Sequence, residues 1–219
     1  MTEVPAHVPE LVDVPVPHVL RPGDLALLAD AADDLADGHL HLLVPGVIGF
    51  AGVSDPVGLG ERVSRLSADH GDGVSDSSIG WHERSDELVD LGAGLRLGRL
   101  PAQVARMLDV IGCEVQVGAA TVTMLGLSDG VAEQVVRVLA PLGLVFDAAS
   151  PWLAVTACQA CHLAVSDVHG DATQAVHTGA IPADQRVHVV GCAHACGRPA
   201  GAHVEYLATG DGDYEVTSR

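Results

Sequence analysis

The chain has 219 residues, of which 48% are hydrophobic, so it is long and apolar enough to form one large domain or two small ones with a proper core. The formal net charge is -18, and the 11 basic residues are all arginines. Because so acidic a chain repels phosphate backbones and anionic lipids, we expect neither nucleic acid nor a membrane as a partner. No apolar stretch reaches the roughly 18 residues of a membrane helix, and residues 1–13 lack the basic start of a signal peptide, so we expect a cytoplasmic protein.

Helix and strand signals alternate through the first part of the chain. Residues 1–17 are rich in Pro and Val without a helical period, and they predict an extended N-terminal arm. Ser54 and Asp55 then have side chains that suit a helix N-cap. The elements expected after the arm are a helix, two strands and a second helix, over residues 22–38, 39–43, 47–53 and 56–66.

The same order of elements recurs further along the chain. A helix, two strands and a helix are expected over residues 99–112, 113–117, 122–127 and 131–139. The sequences Gly-Val-Ser-Asp at 52–55 and Gly-Leu-Ser-Asp at 126–129 each follow an apolar strand and precede a helix. We interpret this as a duplicated unit, with a first half-domain over 18–66 and a second over 88–149. Residues 67–87, rich in Ser, Gly and Asp, are expected to be a linker.

The pattern changes in the last third, which we treat as a separate module over 150–219. The expected elements are a strand, a helix, a second strand and a hairpin, over residues 153–156, 163–176, 187–190 and 204–216. Each of two cysteine pairs in this module begins where an expected strand ends. The pairs are therefore expected in loops at strand ends.

Four of the five cysteines form two short chelating pairs, Cys158-Gln-Ala-Cys161 and Cys192-Ala-His-Ala-Cys196. The fifth, Cys113, stands alone and is expected to be a small buried hydrophobic residue. In a reducing compartment such spacings indicate metal ligation or redox chemistry before structural disulfides. A thioredoxin-type pair would leave the second pair without a role. Thiolates select soft metals, and the spacing alone leaves zinc and a [4Fe–4S] cluster both open.

The residues around the cysteines resemble a known family. The sequences Ser-Pro-Trp-Leu-Ala-Val-Thr-Ala-Cys at 150–158 and Val-Val-Gly-Cys-Ala-His-Ala-Cys-Gly-Arg-Pro at 189–199 are similar to the cluster-binding segments of the nitrite/sulfite reductase family. The closest similarity is to its precorrin-3B synthase branch, which residues 142–147 and 208–212 also fit. The duplicated unit agrees with this family, which has two related ferredoxin-like half-domains.

The resemblance implies an α+β fold, with two ferredoxin-like half-domains in a pseudo-two-fold arrangement and a C-terminal iron–sulfur module. It implies a [4Fe–4S] cluster on Cys158, Cys161, Cys192 and Cys196. In siroheme-containing relatives the last of these cysteines also bridges to the siroheme iron, so siroheme or a mononuclear iron is left open. The implied activity is that of an oxidoreductase which uses O2 to hydroxylate a tetrapyrrole, precorrin-3A, in aerobic cobalamin biosynthesis. The enzyme would receive electrons from a donor that the sequence does not identify.

The sequence departs from the family pattern in three respects. Only Gln159 and Ala160 separate the first two cysteines, where the family has a longer spacing. The stretches 43–49 and 116–122, which match strands that hold the macrocycle's carboxylates through arginines, contain no basic residue. The family's larger central module is reduced to about 67–87. The alternative expectation is therefore a non-catalytic metal-binding protein, with a structural zinc or an electron-transfer [4Fe–4S] cluster. The sequence assigns no catalytic residue.

Overall fold

The computed structural model describes residues 11–66, 78–158, 163–181, 185–199 and 201–219. Within these ranges the protein is a mixed α+β structure with five α-helices and three sheets. The chain forms two units, here called the first unit (Val12–Leu153) and the second unit, which contains Ala154–Arg219. Over the described part of the chain, no helix combines the length and hydropathy that crossing a membrane requires.

The first unit contributes ten strands and four α-helices to the described residues. The strands are β1 (Val12–Pro15), β2 (Val19–Leu20), β3 (His39–Val44), β4 (Val47–Phe50), β5 (Gly80–Glu83), β6 (Val89–Leu95), β7 (Arg99–Pro101), β8 (Val115–Gly118), β9 (Thr121–Leu127) and β10 (Leu144–Val145). The helices are α1 (Asp24–Leu35), α2 (Pro56–Val63), α3 (Ala102–Val110) and α4 (Asp129–Leu139).

The predicted repeat of helix, strand, strand and helix is present as α1-β3-β4-α2 and again as α3-β8-β9-α4. The strand order is β1-β4-β3-β7 in one sheet and β10-β6-β9-β8-β2 in the other, with β5 also paired to β6. Each sheet therefore takes an edge strand from the other copy: β2 precedes α1 but pairs with β8, and β7 precedes α3 but pairs with β3. The description of the copies as ferredoxin-like half-domains, with their boundaries, stays a prediction.

Two expectations for the first unit need correction. The helix predicted over 99–112 begins only at Ala102, because Pro101 is extended and Arg99–Pro101 pairs with β3. The loop predicted over 67–87 contains a strand, since β5 pairs with β6; residues 67–77 lie outside the described ranges. Gly92 makes this pairing possible, because a Cβ at that position would lie 1.8 Å from the Ser78 carbonyl oxygen.

The N-terminal arm is extended where it is described, as β1 beside β4.

Side-chain capping differs between the two copies of the repeat. Asp55 Oδ1 accepts a hydrogen bond of 3.0 Å from the Gly58 amide, which confirms the predicted N-cap of α2. Ser128 is the N-cap of α4, but its side chain makes no capping hydrogen bond in the described structure. The similar sequences at 52–55 and 126–129 thus begin helices in different ways.

The core of the first unit lies between its sheets and helices, and includes the fully buried Leu28, Ile48 and Phe50. At the surface, Arg106 on α3 binds two aspartates of α1, with distances of 2.7 Å to both Asp30 Oδ1 and Asp33 Oδ2. Helices of the two copies are therefore joined by apolar packing and by a surface ion-pair network.

The second unit is built on one four-stranded sheet. Its elements are β11 (Val155–Ala157), α5 (Val168–Thr178), β12 (Val187–Val190), β13 (Val204–Gly210) and β14 (Asp213–Ser218). The order is β11-β12-β13-β14; the first two pairings are parallel and the last is an antiparallel hairpin, as predicted. Residues 151–154 form a 3-10 turn, so the first strand begins at Val155 rather than at residue 153.

Helix α5 begins later than predicted, at Val168 instead of residue 163, because Asp167 caps it by accepting the Gly170 amide at 3.1 Å. Asp171 ties the helix to the hairpin, since its Oδ2 lies 2.5 Å from both the Ser166 and the Tyr214 hydroxyl oxygens. Burial and this carboxylate raise the pKa of Tyr214 to about 12. The phenol therefore stays protonated and keeps donating over the physiological range.

Candidate metal centre

The first predicted ligand, Cys158, lies directly after β11 and is 4% exposed. Its amide donates to the Val189 carbonyl at 2.9 Å, which continues the pairing with β12 by one residue. The Gly191 amide in turn donates to Cys158 Sγ at 3.3 Å. Backbone N–H groups that donate to sulfur also occur around metal-bound cysteines, where they tune the properties of the site.

Gly191 is the point where the two cysteine segments meet. It lies immediately before Cys192 at the end of β12, and its carbonyl accepts the Val165 amide at 3.0 Å. A Cβ on Gly191 would lie 2.5 Å from the Ala164 Cβ, so only glycine lets the chain that follows Cys161 approach this closely. Because β11 and β12 are parallel, their carboxyl ends share one edge of the sheet, the usual position of ligand sites in such sheets.

The second pair lies in the segment that follows β12, here called the Cys192–Cys196 loop (residues 192–196). The Ala195 amide donates to the Cys192 carbonyl at 3.1 Å and closes a turn between the two cysteines. Cys192 Sγ lies 3.6 Å from His194 Nδ1. Both cysteines are half-buried, and Ala195, with a φ of 46°, is in the left-handed region that non-glycine residues seldom adopt.

A buried carboxylate holds the chain just after this loop. Glu205 on β13 is 2% exposed and binds two guanidinium groups, Arg198 at 2.6 Å and Arg219 at 2.9 Å. Burial opposes ionisation of Glu205, but the hydrogen bonds from both arginines outweigh it and lower the pKa of the carboxyl group.

We expect Glu205→Gln to lower the free energy of unfolding by about 2 kcal/mol at pH 7, less than for a fully buried ion pair because both arginines are half-exposed. A lowered pKa in the folded state stabilises the protein above the ordinary carboxyl pKa of 4.5, and this stabilisation is lost as the pH falls through the folded-state pKa. The difference between wild type and variant should therefore shrink below about pH 4.5. Urea unfolding at several pH values checks this, with the exposed Glu215→Gln as the matched control. A difference that is independent of pH would contradict the ion-pair explanation.

The described structure places three of the four predicted ligands, and Cys161 lies outside the described residues. Among the residues that are described, no three His, Cys, Asp or Glu side chains are grouped closely enough to hold a metal ion. The four-cysteine set therefore stays a prediction. Cys113 is half-buried in the first unit and packs against its core, and burial raises the pKa of its thiol, which agrees with a structural role.

The described donors suit a soft metal, since Cys158 and Cys192 follow the ends of two neighbouring strands, one sulfur accepts a backbone N–H, and the neighbouring residues are small Gly and Ala. Siroheme suits the chain less well. Three arginines of the first unit form surface ion pairs with aspartates: Arg62 with Asp34, Arg84 with Asp86 and Arg106 with Asp30. The stretches 43–49 and 116–122 have no basic residue. At these positions the residues present do not fit siroheme.

The sequence alone did not identify His188 as part of this region. Its imidazole is fully buried and its Nε2 lies 3.1 Å from the Cys196 carbonyl oxygen. The available signal is a histidine inside a run of valines, three residues before a Gly-Cys pair, but nothing local indicates a contact with residue 196.

No family model matches the chain, and no curated protein matches it. Among solved structures, one titled "Structure of Mycobacterium tuberculosis NirA protein" is similar, with a TM-score of 0.49 and 17% sequence identity. The match covers 66% of this chain and 30% of that one, so the chain spans less than a third of that protein's length. At this level of similarity the match does not assign the chain to a family.

Proposed function

We propose that the second unit binds a [4Fe–4S] cluster through Cys158, Cys161, Cys192 and Cys196, and that the protein is an iron–sulfur oxidoreductase. The observation that carries this proposal is the hydrogen bond from the Gly191 amide to Cys158 Sγ. This bond joins Cys158, which directly follows β11, to the residue that directly precedes Cys192. Two chelating pairs from adjacent parallel strands would then supply four thiolates to one centre.

The resemblance of residues 189–199 to cluster-binding segments favours a cluster over zinc. The backbone amide that donates to Cys158 Sγ is compatible with either metal and would tune the potential of a bound cluster. A bound cluster would supply one-electron transfer. The protein's own contribution is to bury Cys158, to let the two loops approach each other at Gly191, and to hold the chain after Cys196 through Glu205.

The finer assignment rests on the sequence resemblance alone. We propose an activity like that of precorrin-3B synthase, the hydroxylation of a tetrapyrrole in aerobic cobalamin biosynthesis, in the cytoplasm and with a separate electron donor. Precorrin-3A would be the substrate, and neither nucleic acid nor a membrane would be a partner.

A second candidate is a non-catalytic protein that uses zinc or a [4Fe–4S] cluster for structure or electron transfer. It is favoured by the absence of basic residues from the stretches 43–49 and 116–122, which leaves these strands without arginines to hold a polyanionic macrocycle. The two candidates share the metal site and differ in whether the first unit binds a tetrapyrrole.

We expect protein purified without oxygen to contain about four iron and four sulfide ions per chain and to show the broad visible absorption of a cluster. Replacing any one of the four cysteines by serine should remove most of this iron, whereas Cys113→Ser, the matched control, should keep it because Cys113 packs in the first unit. Iron, sulfide and zinc analysis measures the outcome. A colourless protein with one zinc ion would refute the cluster and leave the second candidate.

The finer assignment has its own test. Cluster-loaded protein should convert precorrin-3A to a hydroxylated product in the presence of O2 and a chemical reductant. Cys192→Ser should abolish the conversion. A loaded protein that neither binds nor converts precorrin-3A would exclude the synthase activity while leaving the cluster in place.

A further inference from the structure

A row of polar side chains crosses the sheet of the second unit. Thr156, His188 and Glu205 are in register on β11, β12 and β13, so their side chains share one face. His188 is fully buried and Glu205 is nearly so, although their strands otherwise consist mainly of apolar residues. Buried polar groups are unfavourable unless they are hydrogen-bonded. Their presence is therefore best explained by the groups that they bind.

His188 has a partner at each ring nitrogen. The Cys196 carbonyl, 3.1 Å from Nε2, can only accept, so Nε2 carries the proton and donates it. Nδ1, the acceptor nitrogen, lies 2.9 Å from the Thr156 hydroxyl oxygen, whose single hydrogen is shared between Nδ1 and the Val187 carbonyl oxygen at 3.2 Å. The imidazole therefore bridges the strand β11 and the backbone of Cys196.

Left-handed residues flank Cys196 on both sides, with a φ of 46° at Ala195 and of 74° at Gly197. Glycine adopts this conformation freely, but at Ala195 it is unfavourable and persists only where the surroundings hold it. Arg198 follows Gly197, and its Nε donates to Glu205 Oε2 at 2.7 Å. Two neighbouring residues of the polar row thus fix the chain at adjacent points, His188 at the Cys196 carbonyl and Glu205 at Arg198.

We propose that His188 is a positioning residue for the metal site, which fixes the backbone of Cys196 in the conformation that ligation requires. This inference rests on the proposed function, since it concerns the same cysteine site, but it assigns a role to a residue outside the ligand set. His188 contacts the carbonyl of Cys196 and acts on the metal only through that residue.

The test uses two substitutions in the full-length chain. His188→Leu fills the buried position with an apolar side chain and removes the donor to the Cys196 carbonyl. His188→Gln keeps an N–H donor and should restore the contact. The matched control is His41→Leu, because His41 is also a buried strand histidine, 1% exposed, and its hydrogen bond of 3.0 Å goes to Asp37 in the first unit.

Two measurements separate positioning from general stability. In metal-free protein, amide hydrogen exchange over residues 192–197 should be faster in His188→Leu than in wild type and should return toward wild type in His188→Gln. With Zn2+ as the probe of the thiolate set, chelator competition should show roughly 10-fold weaker binding for His188→Leu, and affinities near wild type for His188→Gln and His41→Leu.

The outcomes distinguish this inference from the proposed function. If His188→Leu leaves both the exchange and the Zn2+ affinity unchanged, the positioning role is overturned even though the wild type binds metal. If His188→Gln fails to restore either measurement, the donor to Cys196 is not what matters and the inference also fails. A wild type that binds neither Zn2+ nor a cluster refutes the proposed function, and with it the role of His188 in metal binding.

Discussion

Replacing Phe50 with alanine is expected to lower the free energy of unfolding by about 3–5 kcal/mol, the range for truncating a fully buried aromatic side chain. Phe50 has no exposed surface and ends β4, an interior strand between β1 and β3. Because β1 pairs with β4 and β7 pairs with β3, packing at this strand supports segments from both copies of the repeat. The loss should therefore destabilise the whole first unit.

Urea unfolding measures this effect, with Val57→Ala as the control. Val57 is 72% exposed on α2, so its truncation should change the free energy of unfolding by less than about 0.5 kcal/mol. The loss in the free energy of unfolding for Phe50→Leu should lie between those for Phe50→Ala and Val57→Ala, because leucine keeps most of the apolar volume. A loss below about 1 kcal/mol for Phe50→Ala would show that the strand is not a central part of the core.

Gly191→Ala is expected to impair the cysteine site more than any other change outside the ligands. The new Cβ would lie 2.5 Å from the Ala164 Cβ and 3.1 Å from the Ala164 Cα, so the segment after Cys161 must move away. We expect a metal affinity about 10- to 100-fold lower, the range for loss of groups that orient ligands. The second unit should also lose about 1–3 kcal/mol of stability through overpacking.

A second substitution at the contact makes this prediction specific. Ala164→Gly in the Gly191→Ala background removes the closest atom and should restore part of the metal affinity. The matched control is Gly60→Ala in α2, where a Cβ meets nothing within 4 Å and should stabilise the helix by up to about 1 kcal/mol. Metal affinity by chelator competition and urea unfolding check both variants. If Gly191→Ala binds metal as tightly as wild type, the approach of the two loops is not needed for ligation.

The features that could be predicted from the sequence are those with local causes. The Gly-X-Ser-Asp sequence at 52–55 predicted the start of α2 at residue 56, and the side chain of Asp55 caps that helix as expected. After the second such sequence, α4 begins at Asp129, two residues before the predicted start. The β-branched residues of β12 predicted that strand with the correct bounds. Cys158 lies just after a strand, as its position in the sequence suggested.

The features that could not be predicted depend on contacts between distant segments. The exchange of β2 and β7 between sheets has no local signature, because the pairing partners are almost a hundred residues apart for β2 and about sixty for β7. The strand β5 lies in a polar region and forms because Gly92 admits the Ser78 carbonyl. Likewise, the partner of His188 is a main-chain carbonyl, which no side-chain pattern reveals.

The central claim is that four cysteines from the ends of β11 and β12 bind one iron–sulfur cluster. The most direct test is an anomalous difference map from crystals grown without oxygen, recorded on both sides of the iron absorption edge. We predict strong iron density at the shared carboxyl edge of these strands, contacted by the sulfur atoms of Cys158, Cys161, Cys192 and Cys196. A map without iron at this edge, or with the four sulfur atoms far apart, would contradict the claim.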